Sequence, residues 1–134
     1  MEKSRSEIVF PTIKQVINVN RQMIQTSGGT FIPPSNFNNS APLEYILTAI
    51  AKPIYGIHLF DSLEKKASAL AYEIIVSHVF IDGNKRTGAH MAWMFLRSNG
   101  INIIIDKSIE DITIKLATGT ASRADFTKWI NEHQ

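Results

Sequence analysis

Residues 61–100 read DSLEKKASALAYEIIVSHVFIDGNKRTGAHMAWMFLRSNG. In the first half Leu63, Ala67, Leu70, Ala71, Ile74 and Ile75 recur at helical spacing. Asp61, with Glu64 three residues on, predicts a capping-box start for that helix. Carried one turn further, the stripe reaches His78, which puts the imidazole at the C-terminal end of an inward-facing row. Val79 to Asn84 form a short break, and a second helix is predicted from Asn84 to Asn99 with Gly100 as its left-handed stop. Gly88, Ala89, Met91, Ala92, Trp93, Met94, Phe95 and Leu96 set apolar groups nearly all round this helix. It is therefore expected in the middle of the fold, with Met91, Trp93 and Met94 in the core.

Outward from this pair, the rest of the chain also reads as helix. Towards the N-terminus Ile13, Val16, Ile17, Val19, Met23 and Ile24 predict a helix over 12–26, with Pro11 in its first turn and Ser27-Gly28-Gly29 as its stop. A polar excursion follows at about 28–41, rich in Gly, Pro, Asn and Ser, and loops of this length are often functional. Leu43, Ile46, Leu47 and Ile50 predict a short helix over 42–51, closed by Pro53 and Gly56. Beyond Gly100, Ile101–Ile105 reads as a short strand or an extended connection. Ser108 and Ser122 are the expected N-caps of two last helices, 109–117 and 123–132. The sum is about six helices, an all-α fold, and a single domain over 1–134.

Composition narrows the function classes. Of the 134 residues 44% are apolar and 19% charged, and 14 Lys and Arg against 12 Asp and Glu leave a formal +2. That is too little to predict direct nucleic-acid binding or a polybasic membrane anchor. The chain has no cysteine, so a disulfide frame, a thiolate metal site and a Cys nucleophile are all excluded. Met1–Glu7 is charged and no long apolar run follows it, which predicts neither a signal peptide nor a membrane span, with the cytoplasm as the expected compartment.

Chemistry is concentrated in the break. His78 to Gly88 holds a base, an acid, an amide and two cations at the point where a loop feeds a helix. The free N–H groups and positive dipole end of such a helix make a phosphate cradle. Lys85 and Arg86 sit in the first turn, where cations are unfavourable and an anion would reverse the penalty. Gly83 lets the backbone approach a phosphate closely. Asp82 is a candidate ligand for Mg²⁺, which is commonly held by one or two carboxylates plus substrate phosphates. Asp82 or Asn84 is equally a candidate cap for the following helix. His78 reads either as a general base or as a buried structural histidine. Arg86, His90 and Arg97 fall within about 40° on a helical wheel and can line one side of a phosphate site, or form a polar stripe facing water.

The run His78-x-Phe80-x-Asp82-Gly83-Asn84-Lys85-Arg86-Thr87 resembles the signature loop of the Fic/Doc superfamily, and specifically its death-on-curing (Doc) branch. Residues 63–70 and 95–100 and the short C-terminal helices extend the resemblance over about 10–132. It implies a compact bundle around a central helix–loop–helix, with the catalytic loop at 78–88 and a target-docking flap at about 28–41. It also implies ATP and Mg²⁺ as cofactors: His78 takes a proton from a target hydroxyl, Asp82 holds the metal, and Gly83, Asn84, Lys85, Arg86 and His90 seat phosphates while Phe80 anchors the loop. Lys85 and Ala89 resemble the Doc branch, which transfers the γ-phosphate, whereas Gly83 is typical of adenylylating Fic loops, so AMP transfer stands as the alternative. By the same resemblance the expected target is elongation factor Tu, and the outcome is inhibited translation. The nearest match to a self-inhibitory motif, Ser40 to Glu44 followed by Tyr45, departs at its last position, so the expected inhibitor is an antitoxin resembling Phd. A module that keeps the loop without catalysis is the third reading.

Overall fold

In the computed structural model, which describes residues 7–134, six helices follow one another: α1 Ile13–Ser27, α2 Ala41–Ala51, α3 Leu63–Val76, α4 Asn84–Ser98, α5 Ser108–Thr118 and α6 Arg123–Glu132. Met1–Ser6, on which most of the reading of a charged start rests, lies outside the described residues. The described residues form no strand, only the isolated antiparallel bridges Phe37–Phe80 and Ile54–Ile57. The fold is all-α, as expected, and Ile101–Ile105 is an extended connection. No helix among the described residues is long and apolar enough to cross a membrane.

Helix ends show where local chemistry wins. At α1 the cap is Thr12, in a full capping box with Gln15, so Pro11 lies just before the cap and not inside the first turn. At α3 the cap is Ser62, whose hydroxyl accepts the Lys65 N–H. The neighbouring Asp61 instead pairs with the Lys65 ammonium at 2.9 Å, which corrects the expected Asp61 box. Ser122 and Asp125 form the reciprocal box at α6. Ser108 is not a cap: α5 begins at Ser108, and the Asp106 carboxylate accepts that residue's N–H at 2.9 Å.

The middle of the bundle belongs to α3, not to α4. Helix α3 packs against α2, α4, α5 and α6, whereas α4 packs against α1, α3 and α5. Its small residues explain this, because Ala67, Ser68, Ala69 and Ala71 are all buried and let neighbours approach from several sides. One face, Ala69, Leu70 and Ile74, joins a core with Val16, Val19, Leu43, Ile46 and Phe80. The other, Leu63, Ala67, Ala71 and Ile75, joins a core with Ala92, Phe95, Leu96, Leu116, Phe126 and Ile130. The buried Lys66 donates to the Ile50 carbonyl at 2.8 Å, giving the C-terminal turn of α2 the cation that its free carbonyls favour. Helix α4 meets α3 at Gly88, where an added Cβ would lie 2.8 Å from Ile75 Cγ1. The outer side of α4 is open: Lys85, Arg86, Arg97 and Ser98 are exposed, and Trp93 and Met94 are only partly buried. Met91 alone of those three is a full core residue.

Candidate functional site

The loop between α3 and α4 begins where α3 terminates. The Val79 N–H reaches back to the Ile74 carbonyl at 3.4 Å, with Ser77 as the C-cap and His78 at φ +48°. This is a Schellman ending, in which the left-handed position usually belongs to glycine and the apolar residue beyond packs back on the last turn. Val79 and Ile74 are both buried in the same core. The reversal swings His78 off the helix stripe, so its side chain is exposed. The expectation of an inward-facing histidine is therefore corrected, and the buried structural reading goes with it.

Beyond Val79 the loop is pinned from three sides. The Phe80 ring is buried and stacks on Phe37, centroids 5.4 Å apart, so it anchors the loop. The 28–41 excursion runs beside the loop as a partner: Ile81 N–H donates to Asn36 O at 2.9 Å, and the N–H groups of Asn38 and Asn39 donate to Val79 O. The Asn38 amide adds a bond to His78 O at 3.0 Å. From within the loop, Asn84 clasps Phe80, accepting its N–H at 2.9 Å and donating to its carbonyl at 2.8 Å. Beneath it lies Asn20 of α1, fully buried, which donates to Asp82 O at 2.9 Å and to Thr87 Oγ1 at 3.1 Å and accepts from the Asn36 amide at 2.9 Å. Gly83, at φ +78°, closes over this amide, and a Cβ there would lie 2.9 Å from Ile24 Cδ1 and 3.1 Å from Asn20 Nδ2.

His78, Asp82, Lys85 and Arg86 are all exposed on the resulting surface. Gly83 is the N-cap of α4, with no side-chain cap and no acid in the first turn. The α4 N-terminus thus keeps its backbone donors available, beside two cations. Neither side chain expected as a cap takes that role: Asn84 turns back to Phe80, and Asp82 Oδ1 accepts the Gly83 N–H at 2.9 Å while Oδ2 accepts the Thr30 N–H at 3.0 Å. Asn84, expected to seat a phosphate, has its side chain committed to the loop and can offer only its backbone N–H.

Arg86 and His90 line a cleft of about 630 Å³ with Met23, Ala89, Trp93, Ile103, Ile105, Ile109 and Glu110, and Lys85 joins Arg86 in a smaller neighbouring cleft. His78 and Asp82 line neither. Burial holds the His90 imidazole below its ordinary value of 6.5, and its ring lies 5.4 Å from that of Trp93. Its neutral form is favoured, so His90 offers a stacking face or a single N–H and no charge. Arg97 lies over the Trp93 ring at 5.3 Å, outside the cleft. The wheel therefore joins Arg86 to His90 but leaves Arg97 out. Among the described residues no three His, Cys, Asp or Glu side chains cluster as a metal cage.

Asn20, Thr30, Asn36 and Phe37 escaped the sequence reading, as did the bond from Asn20 to Thr87 of the signature run. One of them left a trace: Asn20 stands among Val16, Val19 and Ile24 on the buried stripe of α1, where an amide needs a polar partner from elsewhere in the fold. The others act through contacts 16 to 67 residues away in sequence, which no local pattern records.

The family model described as Fic/DOC matches residues 10–96, from just before α1 into α4. Toxin Doc of Mycolicibacterium smegmatis is 37% identical over 76 residues, covering 52% of this chain and 58% of that protein. Protein kinase doc of Escherichia phage P1 is 42% identical over 45 residues, covering 34% of this chain and 36% of that protein. The matches thus span little more than half of the first relative and about a third of the second.

Proposed function

This chain belongs to the Fic/DOC family, and from that premise we propose that it is a toxin of the death-on-curing type, which moves the γ-phosphate of ATP to a hydroxyl of a target protein. The observation that carries the reading is the exposed His78, turned outward by its left-handed backbone, just before an uncapped helix start bearing Lys85 and Arg86. In this mechanism His78 accepts the proton of the target hydroxyl. The oxygen attacks the γ-phosphorus, the bond to the β-phosphate oxygen breaks, and ADP leaves. Lys85, Arg86 and the backbone N–H groups of Asn84 and Lys85 hold the phosphates and meet the charge that develops on them. His90, in its cleft, binds the nucleotide without adding charge.

Asp82 fits a divalent cation. It is exposed, and each oxygen accepts one N–H and so retains a lone pair. Asp82 would hold Mg²⁺, and the chemistry such an ion would supply is neutralisation of negative charge on the transferring group. The names of the relatives, Toxin Doc and Protein kinase doc, support toxicity and phosphate transfer. We extend the reading to 1–134 as one domain, to the cytoplasm as the compartment, to elongation factor Tu as the target and to a Phd-like antitoxin as the inhibitor.

A second reading, transfer of AMP, is favoured by Gly83 in the loop. Intact-mass spectrometry of elongation factor Tu after incubation with this protein, ATP and Mg²⁺ separates the two. A gain of about 80 Da is expected, and about 329 Da would mean AMP transfer. An unchanged mass, with His78→Ala as toxic to cells as the parent chain, would overturn the enzyme reading in favour of a binding module.

A further inference from the structure

Asp82 is held from the flap as well as from its own loop. Its Oδ1 accepts the Gly83 N–H, and its Oδ2 accepts the N–H of Thr30, 52 residues earlier in the chain. Its main-chain carbonyl is bonded by the buried Asn20. Backbone and side chain are therefore both fixed, and the carboxylate plane is set by two amides on separate segments. The Thr30 contact has a steric condition. A Cβ on Gly29 would lie 2.7 Å from Asp82 Oδ2 and 3.2 Å from its Cγ, so only glycine lets the carboxylate reach that amide. Gly28 provides a built-in comparison: its φ of +86° is also positive, yet a Cβ there meets nothing within 4 Å.

We propose that the Gly29–Thr30 turn is a positioning element for Asp82. By taking one lone pair on each oxygen, the Thr30 and Gly83 amides orient the remaining pairs for a divalent cation, and cation binding is thereby coupled to the docked position of the flap. The proposal rests on the reading of Asp82 as a cation ligand. Groups that orient a metal ligand without touching the metal typically change affinity by about 10–100-fold.

The test uses Mn²⁺ alone as the probe, followed by paramagnetic broadening of the Gly83 and Thr30 amide resonances in the parent chain, Gly29→Ala and Gly28→Ala, each checked for folding by circular dichroism. The expected result is a Mn²⁺ midpoint about tenfold higher in Gly29→Ala and unchanged in Gly28→Ala. Equal midpoints in Gly29→Ala and the parent chain overturn the positioning role, as does an equal loss in both variants, which would trace the effect to backbone strain. A metal-independent arm covers a Gly29→Ala chain that fails to fold: in Asp82→Ala, which removes both acceptor oxygens, the Thr30 amide should move upfield and exchange faster, and no change there also overturns the proposal. If the Thr30 amide responds in this way but the parent chain shows no Mn²⁺ broadening, the cation reading of Asp82 fails and the positioning role falls with it, leaving a purely structural clamp.

Discussion

His78 occupies a backbone position that glycine fills at lower energy. A side chain at positive φ costs about 1–2 kcal/mol, and at the end of α3 this conformation is what turns the ring out of the bundle. His78→Gly is therefore expected to raise stability by about 0.5–1 kcal/mol, or roughly 2–4 °C in Tm, while abolishing transfer. His78→Ala should abolish transfer without that gain, and thermal melts of the two variants beside the parent chain check the difference. His90 gives a pH signature. Because burial lowers its folded pKa, protonation favours the unfolded chain, so its contribution is complete above 6.5 and declines as pH falls from there towards the lowered value. The urea midpoint should drop between pH 7 and pH 5 more steeply in the parent chain than in His90→Gln.

At the scale of elements, the start of α4 does two jobs with one turn. Its Asn84 side chain closes the loop onto Phe80, and its backbone donors and cations face outward. Asn84→Ala removes both bonds and leaves two Phe80 backbone groups unpaired, with an expected loss of about 1–3 kcal/mol. Hydrogen exchange at the Phe80 amide should accelerate in step, and an unchanged rate would show that the Phe37 stack and the flap suffice. The helix boundaries show which local signals are readable. The α6 cap at Ser122 was legible because one residue alone could cap, while its reciprocal partner Asp125 emerged only from the structure. At α3 Asp61 and Ser62 stand side by side, both able to cap, and Ser62, in extended backbone directly before the helix, takes the role while Asp61 pairs with the Lys65 ammonium. Ser108 misled for a related reason, since Asp106 two residues earlier accepts its N–H.

Across the whole molecule, the buried amide of Asn20 ties α1 to the flap through Asn36, to α4 through Thr87 and to the loop through Asp82. No buried side-chain polar atom among the described residues lacks a partner, so removing Asn20 strands several at once. Asn20→Ala is expected to cost about 2–4 kcal/mol. A double-mutant cycle with Asn36→Ala should return a coupling of about 1 kcal/mol or more, and strict additivity of the two losses would show that the amides act independently. The loop that carries His78 and Asp82 is thus rigid because three distant segments converge on one side chain.

By itself the sequence determined the six helices, the all-α class and the place of the polar 78–88 loop between α3 and α4, because helical periodicity, glycine stops and that loop are all local in the chain. Only the tertiary structure decided which helix is central, since small residues such as Ala67 and Ala71 matter through the neighbours they admit. It also decided that His78 faces outward, that Asn84 serves the loop, and that Thr30 and Asn20 hold Asp82. These depend on one left-handed residue and on hydrogen bonds between segments far apart in the chain, and neither is encoded in the spacing of residues along it.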